Sequence, residues 1–175
     1  ASWAHGNTRI DHFSDEAPYA ISGKSDLFGL DLTLEHRFEN ASHLSWQSEW
    51  LYRDMEGVYF ENDGTATTPS PIRKKQAGYY TQLLYTPFEA WSIGGRYDRI
   101  YRNDVIQNGT DMELPSDMDQ YSAMIEFAPS ENARYRLQYT HSNAFFNEAM
   151  ERQNLDSLIM SVTLELGSHG EHHHE

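Results

Sequence analysis

The sequence predicts an all-β fold, an antiparallel transmembrane β-barrel with seven clear strands and room for an eighth, forming the C-terminal part of a larger barrel. Three observations carry this. Seven segments alternate polar and apolar residues with period two, each 9–13 residues long. Soluble strands average about 5–6 residues, whereas a membrane-crossing strand needs roughly 9–11. The connections between the segments alternate short and long, which is the layout of an outer-membrane barrel. The chain of 175 residues is only 38% hydrophobic but 13% aromatic, a balance that suits strands with one wet face. It has no run of 18 apolar residues for a membrane helix.

Residues 1–26 read as an extracellular loop or a weak first strand, the latter in "SWAHGNTRIDHF". The strands of the barrel are expected within 27–167. In 27–38, Phe28, Leu30, Leu32, Leu34 and Phe38 share one side with His36, opposite Gly29, Asp31, Thr33, Glu35 and Arg37. In 43–55, Leu44, Trp46, Trp50 and Tyr52 oppose Ser45, Gln47, Glu49 and Arg53. The pattern continues in 76–88 (Tyr79, Leu83 and Tyr85 against Tyr80, Gln82 and Thr86) and in 91–101 (Trp91, Ile93 and Tyr97 against Ser92, Arg96 and Asp98). It returns in 120–128 (Tyr121, Ile125 and Phe127 against Ser122 and Glu126) and in 133–142 (Tyr135, Leu137 and Tyr139 against Arg134, Arg136 and Gln138). The last segment, 157–167, sets Leu158, Met160, Val162, Leu164 and Leu166 against Ile159, Ser161, Thr163 and Glu165.

Short connections at 39–42, 89–90 and 129–132 are assigned to periplasmic turns, and long ones at 56–75, 102–119 and 143–156 to extracellular loops. Aromatics gather at both ends of the apolar face: Trp46, Phe88, Trp91, Phe127 and Tyr135 near the short turns, and Tyr52, Tyr79, Tyr97, Tyr121 and Tyr139 towards the long loops. Tyr and Trp favour a membrane–water boundary because their rings are apolar and their tips hydrogen-bond. A soluble antiparallel sheet with one solvated face shows the same alternation, but strand length, loop segregation and aromatic placement favour the bacterial outer membrane.

Seven strands are an odd number, whereas bacterial single-chain barrels take an even one. An open sheet in hydrocarbon leaves unpaired backbone groups, each costing several kcal/mol. The expected partners are therefore outer-membrane lipid, the missing strands or another chain that closes the sheet, and a plug or periplasmic protein. Net charge is −14, which argues against nucleic acid. The absence of cysteine excludes disulfides and thiolate metal sites.

The polar face supplies the candidate lumen lining: Asp31, Glu35, Glu49, Asp98, Glu126 and Glu165 against Arg37, Arg53, Arg96, Arg134 and Arg136. A mixed lining hydrates a pore or orients a polar solute, and it equally makes ion pairs that stiffen the wall. Arg96, Arg134 and Arg136 are the anion candidates, since guanidinium grips phosphate or carboxylate bidentately. Residues 168–175 form a His-rich periplasmic tail in which His169, His172, His173 and His174 are candidate zinc ligands; a purification tag is the competing reading. Asp104, Asp111, Glu113, Asp117 and Asp119 crowd one long loop, but their spacing fits no EF-hand and reads as a solvated, repulsive stretch. No Gly-x-Ser-x-Gly, Walker or His-Glu-x-x-His motif is present, so no enzyme is expected.

The phrases "LSWQSEWLYRDMEGVYFE", "GYYTQLLYTPFEAWSIGGRYDRIY", "YSAMIEFAPSENARYRLQYTHS" and "SLIMSVTLELGSHGEHHHE" resemble the C-terminal part of a bacterial outer-membrane family, the zinc-regulated TonB-dependent receptors, and also phosphate-selective-porin-like barrels. The likeness spans about 27–170, and its most distinctive pieces, "GxRYDR" and "PSExxRxRLQY", are features of the wall. It implies energised import or diffusion of a small solute, a tie to zinc, and a last strand running into a His-containing tail that ends in an aromatic residue; here Glu175 stands at that end. The sequence thus points to passage or uptake of small polar solutes or ions. The alternatives are a structural barrel enclosing a partner such as an electron-transfer protein, and a soluble lipocalin-like barrel holding an apolar ligand.

Overall fold

The computed structural model describes residues 1–12, 18–62, 67–147 and 151–165. They form one antiparallel sheet of nine strands: β1 (Ser2–His12), β2 (Tyr19–Arg37), β3 (His43–Asn62), β4 (Thr67–Phe88), β5 (Trp91–Gln107), β6 (Thr110–Asp111), β7 (Met118–Ser130), β8 (Ala133–Phe146) and β9 (Arg152–Leu164). Among the described residues there is no helix. Sheet order follows the chain from β1 to β9, except that β6 folds back onto β5 and leaves β5 to pair with β7. The sheet is open, since β1 and β9 each have one neighbour and do not pair with each other.

Every segment with period-two alternation falls in a strand over most of its length, 166–167 of the last lying outside the described residues, and most strands outrun the alternation that announced them. The stretches 56–75, 102–119 and 143–156, expected as loops, are largely strand extensions, with β3 and β4 paired from His43↔Thr86 out to Asn62↔Thr67. Residues 2–12, weak as a strand in sequence, pair in full with β2 from Ser2↔Gly29 to His12↔Tyr19.

Register assigns the faces, because residues directly opposed across an antiparallel pair project to the same side. One face carries Leu30, Trp50 and Tyr79 in one row and Leu34, Trp46 and Leu83 in another. Further along it carries Ile93, Ile125, Leu137 and Met160. These side chains are not covered: Leu83 is 50%, Leu158 69% and Met160 75% exposed. The opposite face holds Asp31, Glu49, Tyr80 and Asp98.

Towards the long-loop end of β2–β5 the polarity of the faces inverts. On the face that was polar, Ile21, Met55, Ile72 and Val105 pack into a buried cluster flanked by Tyr19 and Tyr59. On the face that was apolar, Asp54, Glu56, Arg73 and Lys75 now project. A paired glycine step, Gly23↔Gly57, lies within this cluster. A Cβ on Gly23 would meet the Glu56 carbonyl oxygen at 2.3 Å, and one on Gly57 would meet that of Ser22 at 2.4 Å. The two backbones therefore approach more closely than side chains permit, and the sheet curls enough to bury Met55 completely.

Candidate functional site

The polar face forms two adjoining hollows. One, of about 450 Å³, is lined by Gln82, Arg96, Asp98, Gln120, Arg136 and Gln138 among others. The second, of about 540 Å³, adds Glu49, Arg53, Gln76 and Tyr80 and shares Arg96 and Asp98 with the first. This shared pair stands between them. The Arg96 Nε donates to both Asp98 oxygens at 2.9 Å and its Nη2 to Oδ1 at 2.6 Å. The guanidinium also lies 3.9 Å from the centre of the Tyr80 ring, so one face of it is stacked and one edge bonded.

Nearer the short turns, Glu126 accepts from Arg136 Nε at 2.9 Å and Nη2 at 2.6 Å, and Arg134 Nε lies 3.5 Å from its other oxygen. One carboxylate thus serves two guanidiniums. Towards the long loops, Arg53 donates to Ser25 Oγ at 3.0 Å and Gln76 Oε1 at 3.5 Å, and Gln76 donates on to Asn103 at 2.9 Å. Asn103 donates in turn to the Pro115 carbonyl at 2.9 Å, tying the 112–117 connection back onto the polar face.

The remaining predicted lining residues are more scattered. Asp31 sits opposite Glu49, 3.7 Å from the Ala1 amino group. Glu35 is 3.9 Å from His43, and Arg37 is paired in register with His43. Glu165 follows β9, with its backbone N–H donating to Asn132. The proposed zinc ligands His169, His172, His173 and His174 lie outside the described residues. Of the crowded acids, Asp104 pairs with Arg102 at 2.7 Å, Asp117 with Arg99 at 2.7 Å, and Asp119 accepts from Tyr97 at 2.5 Å.

Sequence reasoning missed a second feature, on the other face. Moving towards the long loops, the apolar run on each strand ends and an ionisable residue follows: Asp26, Asp54, Lys75, Arg99, Asp119, His141 and Asp156. The aromatic tips below reach up to this row or to each other. Trp3 donates to Asp26 at 3.2 Å, Tyr139 to Asp156 at 2.5 Å, and Trp50 to Tyr101 at 2.6 Å. By register the boundary is level from Phe28 to Tyr52 and from Tyr97 to Tyr121, and steps by two residues between Tyr79 and Tyr97 and between Tyr121 and Tyr139. Strands tilted within a sheet produce such steps.

No family model matches the chain, and no solved structure matches it. It is similar to an uncharacterized protein of Aquifex aeolicus (strain VF5), 36% identical over 172 residues. That alignment takes in 98% of this chain and 36% of the relative, so the chain spans about a third of the relative's length.

Proposed function

We propose that the chain is part of the wall of an outer-membrane β-barrel whose polar face lines a path for small polar solutes or ions. The observation that carries this is the ring of bonded aromatics at which the uncovered apolar face gives way to charge while the opposite face turns apolar. In water such a sheet leaves Leu30, Leu83, Leu158 and Met160 at least half exposed, with only a small cluster to offset that. In a bilayer the same side chains meet acyl chains and the aromatics sit at the headgroups. The run 44–52 extends about 26 Å at ~3.3 Å per residue; tilted by about 40°, it covers roughly 20 Å, close to the ~25 Å apolar band of such barrels.

The open edges set the partners. β1 begins opposite Gly29, so from Leu30 to Arg37 β2 has a neighbour on one side only, and β9 likewise. In hydrocarbon these groups must be paired, and further strands of the same barrel are the proposed supply. The zinc-regulated receptor and phosphate-selective porin resemblance fits this reading; energised import and zinc binding remain proposals for the whole protein.

A second reading, a structural barrel around a partner, draws support from the way Arg96–Asp98 and Glu126–Arg136 satisfy one another. Conductance separates the two. Full-length protein in planar bilayers is expected to give ohmic steps whose reversal potential moves towards anions in Glu126→Gln, since that change leaves Arg134 and Arg136 uncompensated. Inserted, folded protein that carries no current would favour the scaffold.

A further inference from the structure

The larger hollow of the polar face, of about 540 Å³, holds a cation and an anion that do not meet. Elsewhere on this sheet an arginine takes the acid two residues along its own strand, as Arg9 takes Asp11, Arg96 takes Asp98 and Arg102 takes Asp104. Glu49 and Arg53 share a face of β3 but stand four residues apart with Leu51 between them, and they form no ion pair.

Neither charge is satisfied by another group. Among the described residues Glu49 accepts no hydrogen bond, and the neighbouring Arg96 is bonded to Asp98 and stacked on Tyr80. Arg53 donates to Ser25 Oγ, Gln76 Oε1 and Met55 Sδ, none of them a carboxylate. One N–H on each of its Nη atoms has no acceptor among the described residues. Lys74, diagonal to Arg53 on the same face, lies in no ion pair among the described residues, while Asp31 stands directly across from Glu49. The hollow is thus polarised, positive towards the long loops and negative towards the short turns.

Between these ends the lining is apolar. One register row runs through Gly29, Leu51, Gly78, Ile100 and Met118, with Leu27 beside it. Gly78 leaves the floor bare, and a Cβ there would meet the Arg99 carbonyl oxygen at 2.7 Å, so the backbone itself holds this space open.

We propose that the hollow takes a dipeptide with apolar side chains, its terminal carboxylate on Arg53 and its ammonium on Glu49. The inference rests on the reading of this face as a solute path and names the solute. Charge complementarity selects a zwitterion, since a guanidinium without a carboxylate and a carboxylate without a cation each offer a charge-assisted contact. Length selects two residues. Four residues of strand span about 13 Å; a hydrogen bond of about 3 Å at each end leaves about 7 Å, which two extended residues cover. Leu51, Ile100 and Met118 then face the side chains of the solute.

The test titrates leucylleucine into the full-length protein in detergent and follows the heat. Wild type is expected to bind it, and to bind N-acetyl-leucylleucine and leucylleucinamide each roughly ten- to hundredfold more weakly, through loss of one charge-assisted contact. Glu49→Gln should bind leucylleucine and its acetylated form alike, and Arg53→Gln should bind leucylleucine and its amide alike. Each ratio is taken within one variant, so a smaller folded fraction does not move it. Lys24→Ala, on the opposite face, should keep the wild-type order. Equal binding of all three ligands by wild type, no heat at millimolar leucylleucine, or a wild-type preference retained in Glu49→Gln and Arg53→Gln would overturn the dipeptide site. Ohmic steps from the same preparation in planar bilayers would show that the solute path outlives that failure, and a protein that enters no bilayer would overturn the path and the site's role with it.

Discussion

The Gly23↔Gly57 pair shows how far one atom can decide the curvature of this sheet. A methyl group at either position meets a carbonyl oxygen of the neighbouring strand at 2.3 or 2.4 Å, and backbone, unlike a long side chain, does not swing away. Gly57→Ala is expected to lower stability by about 1–3 kcal/mol, seen as an earlier urea midpoint in detergent, with a control at Gly6, where a Cβ meets nothing within 4 Å, unchanged. Lys74 carries a second prediction. It projects beside Met55 and Val105, and burial, with Arg53 nearby, pushes its pKa below the ordinary lysine value of 10.5. A lysine lowered in the fold binds its proton less readily than in the unfolded chain, so the penalty is complete at neutral pH and relieved as pH rises through the folded pKa towards 10.5. Wild type should therefore gain stability over Lys74→Met across that alkaline window, measured by denaturation at stepped pH; a constant difference would contradict the assignment.

Element by element, the alternation in the sequence was a sound guide to strands and faces between the two aromatic rings. His43, Gln76, Trp91, Ala133 and the turns after Arg37 and Phe88 fall at or within the strands and turns expected. The extensions were illegible for a physical reason. Beyond the ring the two faces exchange polarity, so 56–62 and 67–75 present Glu56, Arg73 and Lys75 on one side and Ile72 on the other, and a reader holding one face as apolar sees a polar loop. Residues 2–12 read only as a weak strand because only Trp3 on that face is strongly apolar. The lining charges were found by type, but their pairing was not, because Glu126 meets Arg136 only through the β7–β8 register. Depth now becomes testable along a single face. Met160→Arg should cost about 2–4 kcal/mol in folding into liposomes, and Val58→Arg, above the ring on the same face, about 0–1 kcal/mol.

For the molecule as a whole, the buried apolar cluster sits at the long-loop end and the broad apolar surface lies uncovered between the two aromatic rings. On the membrane reading proposed above, this fold sits in a solvent that is oily over that band and aqueous above and below it. It also needs neighbours, since β1, β9 and the lower half of β2 offer unpaired backbone groups; the relative's alignment, 98% of this chain against 36% of its own length, gives ample room for more strands in that protein. The direct test is a single-cysteine scan of 120–127 in the full-length protein, which meets no cysteine within this chain, spin-labelled in liposomes and probed with oxygen and a water-soluble nickel chelate. Positions 121, 123, 125 and 127 are expected to favour oxygen, and 120, 122, 124 and 126 the chelate. The opposite phase, with Tyr121 and Ile125 labels facing water, would contradict the account.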